Sequence, residues 1–417
     1  MKNTSSAPSP NQAGDSVFIE RVALKNYKSI KECDVKLGPL TFLIGPNGAG
    51  KSNFIDAIGF VADSLKHTLE HALRDRGGIT GVKRISIGHP TYFGIRLDWK
   101  LPNSSGKYSF LISTSKKTGF SVQREECHIE HSEPFFGSTA TFYRIEDGKL
   151  IDHSSDLKVL PIAVDDRLYL MSASGLPEFR PIYNALSNMG FYNLNPDEIR
   201  EFQPPDVGEI LKRDGANLAS VLDTLHRENK DAHDQIIEFL SKVVPGITAV
   251  SVKRMGKKEI LEFSQSVGKK VNPWKFLAEN MSDGTLRALG ILTALFQTSK
   301  STKVPFIGIE EPEVALHPGA AGVLRDSLRA ASRSTQIAVT SHSPDLLDDK
   351  DISDSQILAV SNNNGETAIG PMGQADRESV RKRLYTVGEL MRISPIEPDM
   401  SEHETIKQLD LFTDIKP

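Results

Sequence analysis

An apolar strand that runs straight into Gly45-Pro46-Asn47-Gly48-Ala49-Gly50-Lys51-Ser52 constrains this chain more than any other feature of its sequence. Residues 40–44 are Leu, Thr, Phe, Leu and Ile, a run suited to a buried strand, and residues 53–62 carry apolar side chains at helical spacing. Strand, loop and helix therefore stand in the order that a phosphate cradle needs. The glycines let backbone N–H groups converge on phosphate oxygens at a helix N-terminus. Lys51 is suited to reach the terminal phosphates of ATP and the Ser52 hydroxyl to ligate Mg2+, so the pattern implies ATP and Mg2+ as cofactors, with Asn53 completing the set of candidate binding residues.

Composition narrows the setting. The chain has 417 residues, 38% of them hydrophobic and 25% charged, which is enough for a sizeable core. No apolar run approaches the roughly 18 to 20 residues of a membrane helix, and the polar start lacks the apolar stretch of a signal peptide, so the expectation is a cytoplasmic protein with no membrane partner. Two cysteines, Cys33 and Cys127, are too few for a disulfide framework. With a net charge of −4, contact with nucleic acid would have to come from local basic patches.

Residues 1–16 are rich in Ser, Pro and Asn and are expected to form a disordered arm. Strands are expected over 17–24, 31–37 and 40–44, then antiparallel strands from about 84 to 162 and a helical stretch from about 183 to 244. Lys253, Arg254, Lys257, Lys258, Lys269 and Lys270 decorate a further hairpin, which reads as a solvated face or a contact to DNA phosphates. A helix over 284–297, strands over 304–309, 336–340 and 356–360, and a helix over 319–331 return the chain to a parallel α/β core. Cys127, His128, His131 and His153 match no standard zinc spacing.

Three further motifs carry chemistry. The strand over 304–309 ends in Glu310 and Glu311, which suits one acid to the metal's surroundings and the other to polarising water. Met281-Ser282-Asp283-Gly284-Thr285 opens a helix and offers either an ordinary N-cap or a second anion site. His342 lies just past the strand that follows the acidic one.

Taken together, GPNGAGKSN, MSDGT, EEPEVALHP and VTSHSPDLL resemble the ordered motif set of the ABC-type ATPases of the SMC, RecF and OLD-like branch. The resemblance implies an α/β P-loop NTPase head with a central mixed sheet, an antiparallel β subdomain and a helical insertion. Its expected parts are a core half over 17–95, a β-rich and helical insertion over 96–275, a second core half over 276–393 and a flexible tail over 394–417. It also implies a slow ATPase with Glu311 and His342 as catalytic residues, Ser52 and Glu310 at the metal, and a homodimer sandwiching ATP. Ser282, Asp283 and Gly284 would then act on the partner's nucleotide. Glu310 stands where the family usually has aspartate, and no Q-loop glutamine can be placed. The absence of long heptads excludes coiled-coil arms.

The segment 385–399 is similar to the end of stand-alone bacterial RecF-like ATPases, which implies a DNA-linked sensor or motor in anti-phage defence or DNA repair, with a separate nuclease or toxin effector. The rival reading is an ATP-dependent scaffold that holds such a partner inactive. Near the C-terminus, Gln408-Leu409-Asp410-Leu411-Phe412 resembles the peptide by which bacterial proteins dock on the DNA sliding clamp, or else a tail that folds back on its own domain.

Overall fold

The computed structural model describes residues 18–86, 88, 90–116, 119–135, 138–154, 159–266, 273–297, 303–401 and 411–412. The expected arm at 1–16 and Gln408, Leu409 and Asp410 lie outside them. The strands are β1 (Ile19–Tyr27), β2 (Ile30–Lys36), β3 (Leu40–Ile44), β4 (Tyr92–Leu101), β5 (Ser104–Ser115), β6 (Gly119–Phe135), β7 (Ser138–Glu146) and β8 (Lys149–His153). They continue with β9 (Gly190–Tyr192), β10 (Ile247–Met255), β11 (Lys258–Gln265), β12 (Trp274–Leu277), β13 (Phe306–Glu310), β14 (Gln336–Ser341), β15 (Ile357–Asn363) and β16 (Glu366–Pro371).

Thirteen of these strands form one sheet in the order β8-β7-β6-β5-β4-β1-β2-β16-β15-β3-β14-β13-β9. Strands β15, β3, β14, β13 and β9 run parallel to one another. Every residue of β3 and β14 is buried, as expected where helices cover both faces of parallel strands. Alternation along β3 feeds two cores: Leu43 packs on one side, and Leu40, Phe42 and Ile44 on the other. The first core takes the helix Lys51–Lys66 through Phe54, Ile58 and Val61, and the second takes the helix Asp283–Phe296 through Leu286, Leu289 and Leu292.

Two buried side chains tie distant segments together. The buried Gln336 side chain accepts from the Phe18 and Ile19 N–H groups at 3.1 and 2.7 Å and donates to the Ile19 and Gly38 carbonyls at 2.8 and 3.0 Å. Buried Glu125 on β6 accepts from the Tyr108 and Tyr143 hydroxyls and the Leu170 N–H at 3.0, 2.8 and 2.8 Å, tying β6 to the helix Tyr169–Ala173. Burial raises the proton affinity of this carboxyl, and the donors oppose that rise.

Several sequence expectations need correction. The expected boundary at residue 95 falls inside β4, and β4 to β8 extend the central sheet through β1 instead of standing apart from it. The stretch expected to be helical over 183–244 contains β9, which pairs with β13 and so belongs to the core sheet. What remains between them is a helical and three-stranded unit: the helices Leu218–Glu228 and Lys230–Val243 with the sheet β10-β11-β12. In its hairpin, Lys253 pairs with Glu262 at 3.6 Å and Arg254 with Asp223 at 2.9 Å, while Lys269 and Lys270 lie outside the described residues. Among the described residues no helix is long and apolar enough to cross a membrane.

Leu411 and Phe412 are buried, at 3% and 7% exposure, against Ala23 and Leu111 of the sheet. The Arg124 guanidinium stacks over the Phe412 ring at 4.2 Å, and Leu411 fills the space where a side chain at Gly94 would sit. These two residues are folded back on their own domain, and a sliding clamp would have to compete with that packing.

Candidate nucleotide and metal site

Helix Lys51–Lys66 starts at the loop with no side-chain cap, which leaves its first N–H groups directed at the loop mouth. Gly50 holds φ 108°, and a Cβ there would lie 2.2 Å from Thr367 Oγ1. Thr367 on β16 is the loop's anchor: its hydroxyl donates to the Ala49 carbonyl at 2.8 Å and meets Ser29 Oγ at 2.7 Å. Asn53, expected to touch the nucleotide, donates its side-chain amide to Ser29 Oγ at 2.7 Å. Lys51 is 4% exposed and donates from Nζ to the Gly45 and Pro46 carbonyls at 2.8 and 3.0 Å. Burial holds its pKa below the usual lysine value, and the charges of Glu311 and Glu313 oppose that.

The acids stand at the end of β13, which β14 separates from β3. Glu310 closes β13 level with Thr340 of β14. Glu311 follows at φ 43°, a left-handed conformation fixed by its N–H, which donates to the Thr340 carbonyl and Oγ1 at 3.0 and 3.1 Å. Its Oε1 lies 3.3 Å from His342 Nδ1, so the two candidate catalytic side chains do meet. Glu313 reinforces that arrangement by accepting from the Ser341 hydroxyl at 2.6 Å and the His342 N–H at 3.3 Å, while its Oε2 is buried without a partner among the described residues.

The Ser282 to Gly284 segment sits elsewhere in the hydrogen-bond network. Ser282 Oγ caps the helix Asp283–Phe296 by accepting from the Thr285 N–H at 3.3 Å, and Asp283 pairs with Arg200. A Cβ at Gly284 would lie 2.4 Å from the Ala315 carbonyl oxygen, so glycine is required there for packing within the chain. Among the described residues no hydrogen bond joins 282–284 to the loop 45–52. Further along the same helix, Arg287 donates to the carbonyls of Leu194 and Glu311, both at 3.3 Å, and so links it to the segments leaving β9 and β13.

Three participants escaped sequence reasoning. Thr367 is brought to the loop by a strand more than 300 residues downstream. Asn193 follows Tyr192, which is level with Ile309, and so stands beside Glu310 at the strand ends. Arg213 donates to Glu310 Oε1 at 3.1 Å. A cavity of about 490 Å³, bordered by Gly45, Pro46, Asn47, His342, Met391 and Ile393, opens beside the loop.

The residues present fit a magnesium nucleotide. The helix start is uncapped, a Cβ at Gly48 would meet nothing within 4 Å, and Lys51 is satisfied by carbonyls of the loop alone. Ser52 is exposed at the first turn, and Glu310 supplies the hard oxygen ligand such a cation takes.

The family described as "AAA domain, putative AbiEii toxin, Type IV TA system" matches residues 40–348. The chain is 40% identical over 52 residues to the DNA replication and repair protein RecF of Paenarthrobacter aurescens strain TC1, covering 12% of this chain and 13% of that protein. It is 22% identical over 386 residues to the Old nuclease of Escherichia phage P2, covering 84% of this chain and 61% of that one. The chain therefore spans less than two thirds of the length of either relative. Among solved structures it is similar to an SMC head bound to the C-terminal winged-helix domain of ScpA, with 15% identity, 86% of this chain and 99% of that chain covered, and a TM-score of 0.50. At that identity the likeness concerns the fold. With more than half its length matched, the chain belongs to this AAA-domain family, within the SMC, RecF and OLD-like branch of ABC-type ATPases.

Proposed function

We propose that this protein is a slow ATPase whose active unit is a head-to-tail dimer. The observation that carries the reading is the Glu311–His342 pair, 3.3 Å apart just past the ends of β13 and β14, of which β14 lies beside β3. In this reading the loop N–H groups and Lys51 bind the phosphates, and Glu311 accepts the proton of the attacking water. His342, whose backbone N–H is held by Glu313, orients Glu311 and would face the terminal phosphate. Mg2+, held by Ser52 and Glu310 with Asn193 alongside, would neutralise phosphate charge. The extra methylene of Glu310 relative to aspartate favours slow turnover. Ser282 and Gly284, with no link to their own loop, are suited to complete the site of a second copy.

The wider role that this motif set supports is a DNA-linked sensor or motor in phage defence or repair, working with a separate effector. A second reading is an ATP-dependent scaffold that holds a toxin or nuclease partner inactive; the family description couples an AAA domain with a putative toxin. The purified chain is expected to hydrolyse ATP with Mg2+ at below about 1 per second and to become dimeric in light scattering only with ATP. No turnover and no nucleotide-dependent change of mass would overturn the proposal. A partner co-purifying one-to-one without ATP would favour the restraining role.

A further inference from the structure

Arg213 stands on the segment between the helix Pro196–Arg200 and the helix Leu218–Glu228, and its guanidinium Nη2 lies 3.1 Å from Glu310 Oε1. Among the described residues it is the one side chain hydrogen-bonded to that carboxylate. The partners differ in setting: the Glu310 side chain is 16% exposed and that of Arg213 is 53% exposed. The acid is therefore fixed at a strand end, while the cation approaches from solvent and can withdraw without opening the core.

The loop is held by hydrogen bonds beside this ion pair. The Arg213 and Asp214 carbonyls accept from the Asn193 and Asn195 N–H groups, each at 3.0 Å, which fastens the loop to the segment leaving β9. The Leu211 N–H donates to Gln297 Oε1 at 2.8 Å, and Gln297 is the residue that ends the helix Asp283–Phe296. One short loop thus touches the metal's candidate carboxylate, the strand-end amide beside it, and the far end of the helix that carries Ser282 to Gly284.

A guanidinium and a divalent cation on the same carboxylate oxygen repel one another, and the metal's closer approach and double charge favour it. Resting on the ATPase reading above, we propose that Arg213 is a displaceable counter-ion. It neutralises Glu310 in the metal-free chain and is released when Mg2+ arrives, so that the loop 208–217 reports occupancy of the metal site to the helical unit it leads into. Arg213 is a positioning residue here, with no contact to reacting atoms.

The test uses the full chain, Mn2+ as the paramagnetic probe and a non-hydrolysable ATP analogue at saturation. Arg213→Gln is expected to bind Mn2+ about 10-fold tighter than the parent, since a competing cation has been removed, and Arg213→Lys should fall between. Hydrogen exchange of the 208–217 amides should quicken in the parent on adding Mn2+ with nucleotide, and in Arg213→Gln it should already be fast and unresponsive. Equal or weaker Mn2+ binding by Arg213→Gln, or loop exchange in the parent that ignores the metal, would overturn the counter-ion role while leaving the ATPase reading intact. If the parent binds no Mn2+ with nucleotide, both fall together.

Discussion

Replacing Glu311 with glutamine is expected to lower ATP turnover by at least about 100-fold while leaving ATP binding intact. The backbone at 311 is locked by two hydrogen bonds from its N–H to Thr340, so the substitution keeps the local conformation. Glutamine has the same reach toward His342 but cannot accept a proton from water. Because the ATP-bound state can no longer be discharged, the variant should accumulate as a dimer with ATP in light scattering. Turnover at the parental rate would show that the proton acceptor is another group, with Glu313 the first to test, since its carboxylate also faces Lys51 and His342.

Lys51→Ala should cost ATP affinity about 100-fold, through loss of charge-assisted bonds to the phosphates in a partly desolvated site. In the nucleotide-free chain the Lys51 ammonium is satisfied by the Gly45 and Pro46 carbonyls, which are exchangeable partners, while Glu311 and Glu313 supply the negative surroundings that keep it charged. Titration calorimetry measures the loss directly. The rise in melting temperature that ATP gives the parent should also disappear, because a ligand stabilises only in proportion to its occupancy. Lys51→Arg should not restore binding, since a planar guanidinium cannot take the place of a compact ammonium between those carbonyls.

Much of this site was legible because its information is local. β3 and the uncapped helix start at Lys51 follow from a continuous apolar run, a glycine pattern and a helical period, all within about two dozen residues of one another. The same holds for the strand that ends in Glu310, whose burial makes it uniformly apolar. What stayed hidden depends on contacts between distant segments. β9 has three residues, too few to show a period, and it lies among helices, so its place beside β13 could not be read. Thr367 looks like any strand threonine until β16 carries it to Ala49. Glu313 was visible as an acid, but its purpose lies in Ser341, 28 residues away. The Leu411–Phe412 pair was read both as a docking peptide and as a folded-back tail; its packing on Ala23 shows the second arrangement, which no local pattern could have chosen.

In the proposed dimer the loop 45–52 is half of a site, with Ser282 and Gly284 of another copy as the other half. Mixing two inactive variants tests it most directly: Lys51→Ala, which keeps the helix start at 282–284, and Ser282→Arg, which keeps the loop. Each alone should be inactive, and an equimolar mixture should recover about a quarter of the parental turnover, because half the dimers are mixed and each of these has one intact composite site. Parental turnover by Ser282→Arg alone, or a mixture no more active than its separate components, would contradict the account.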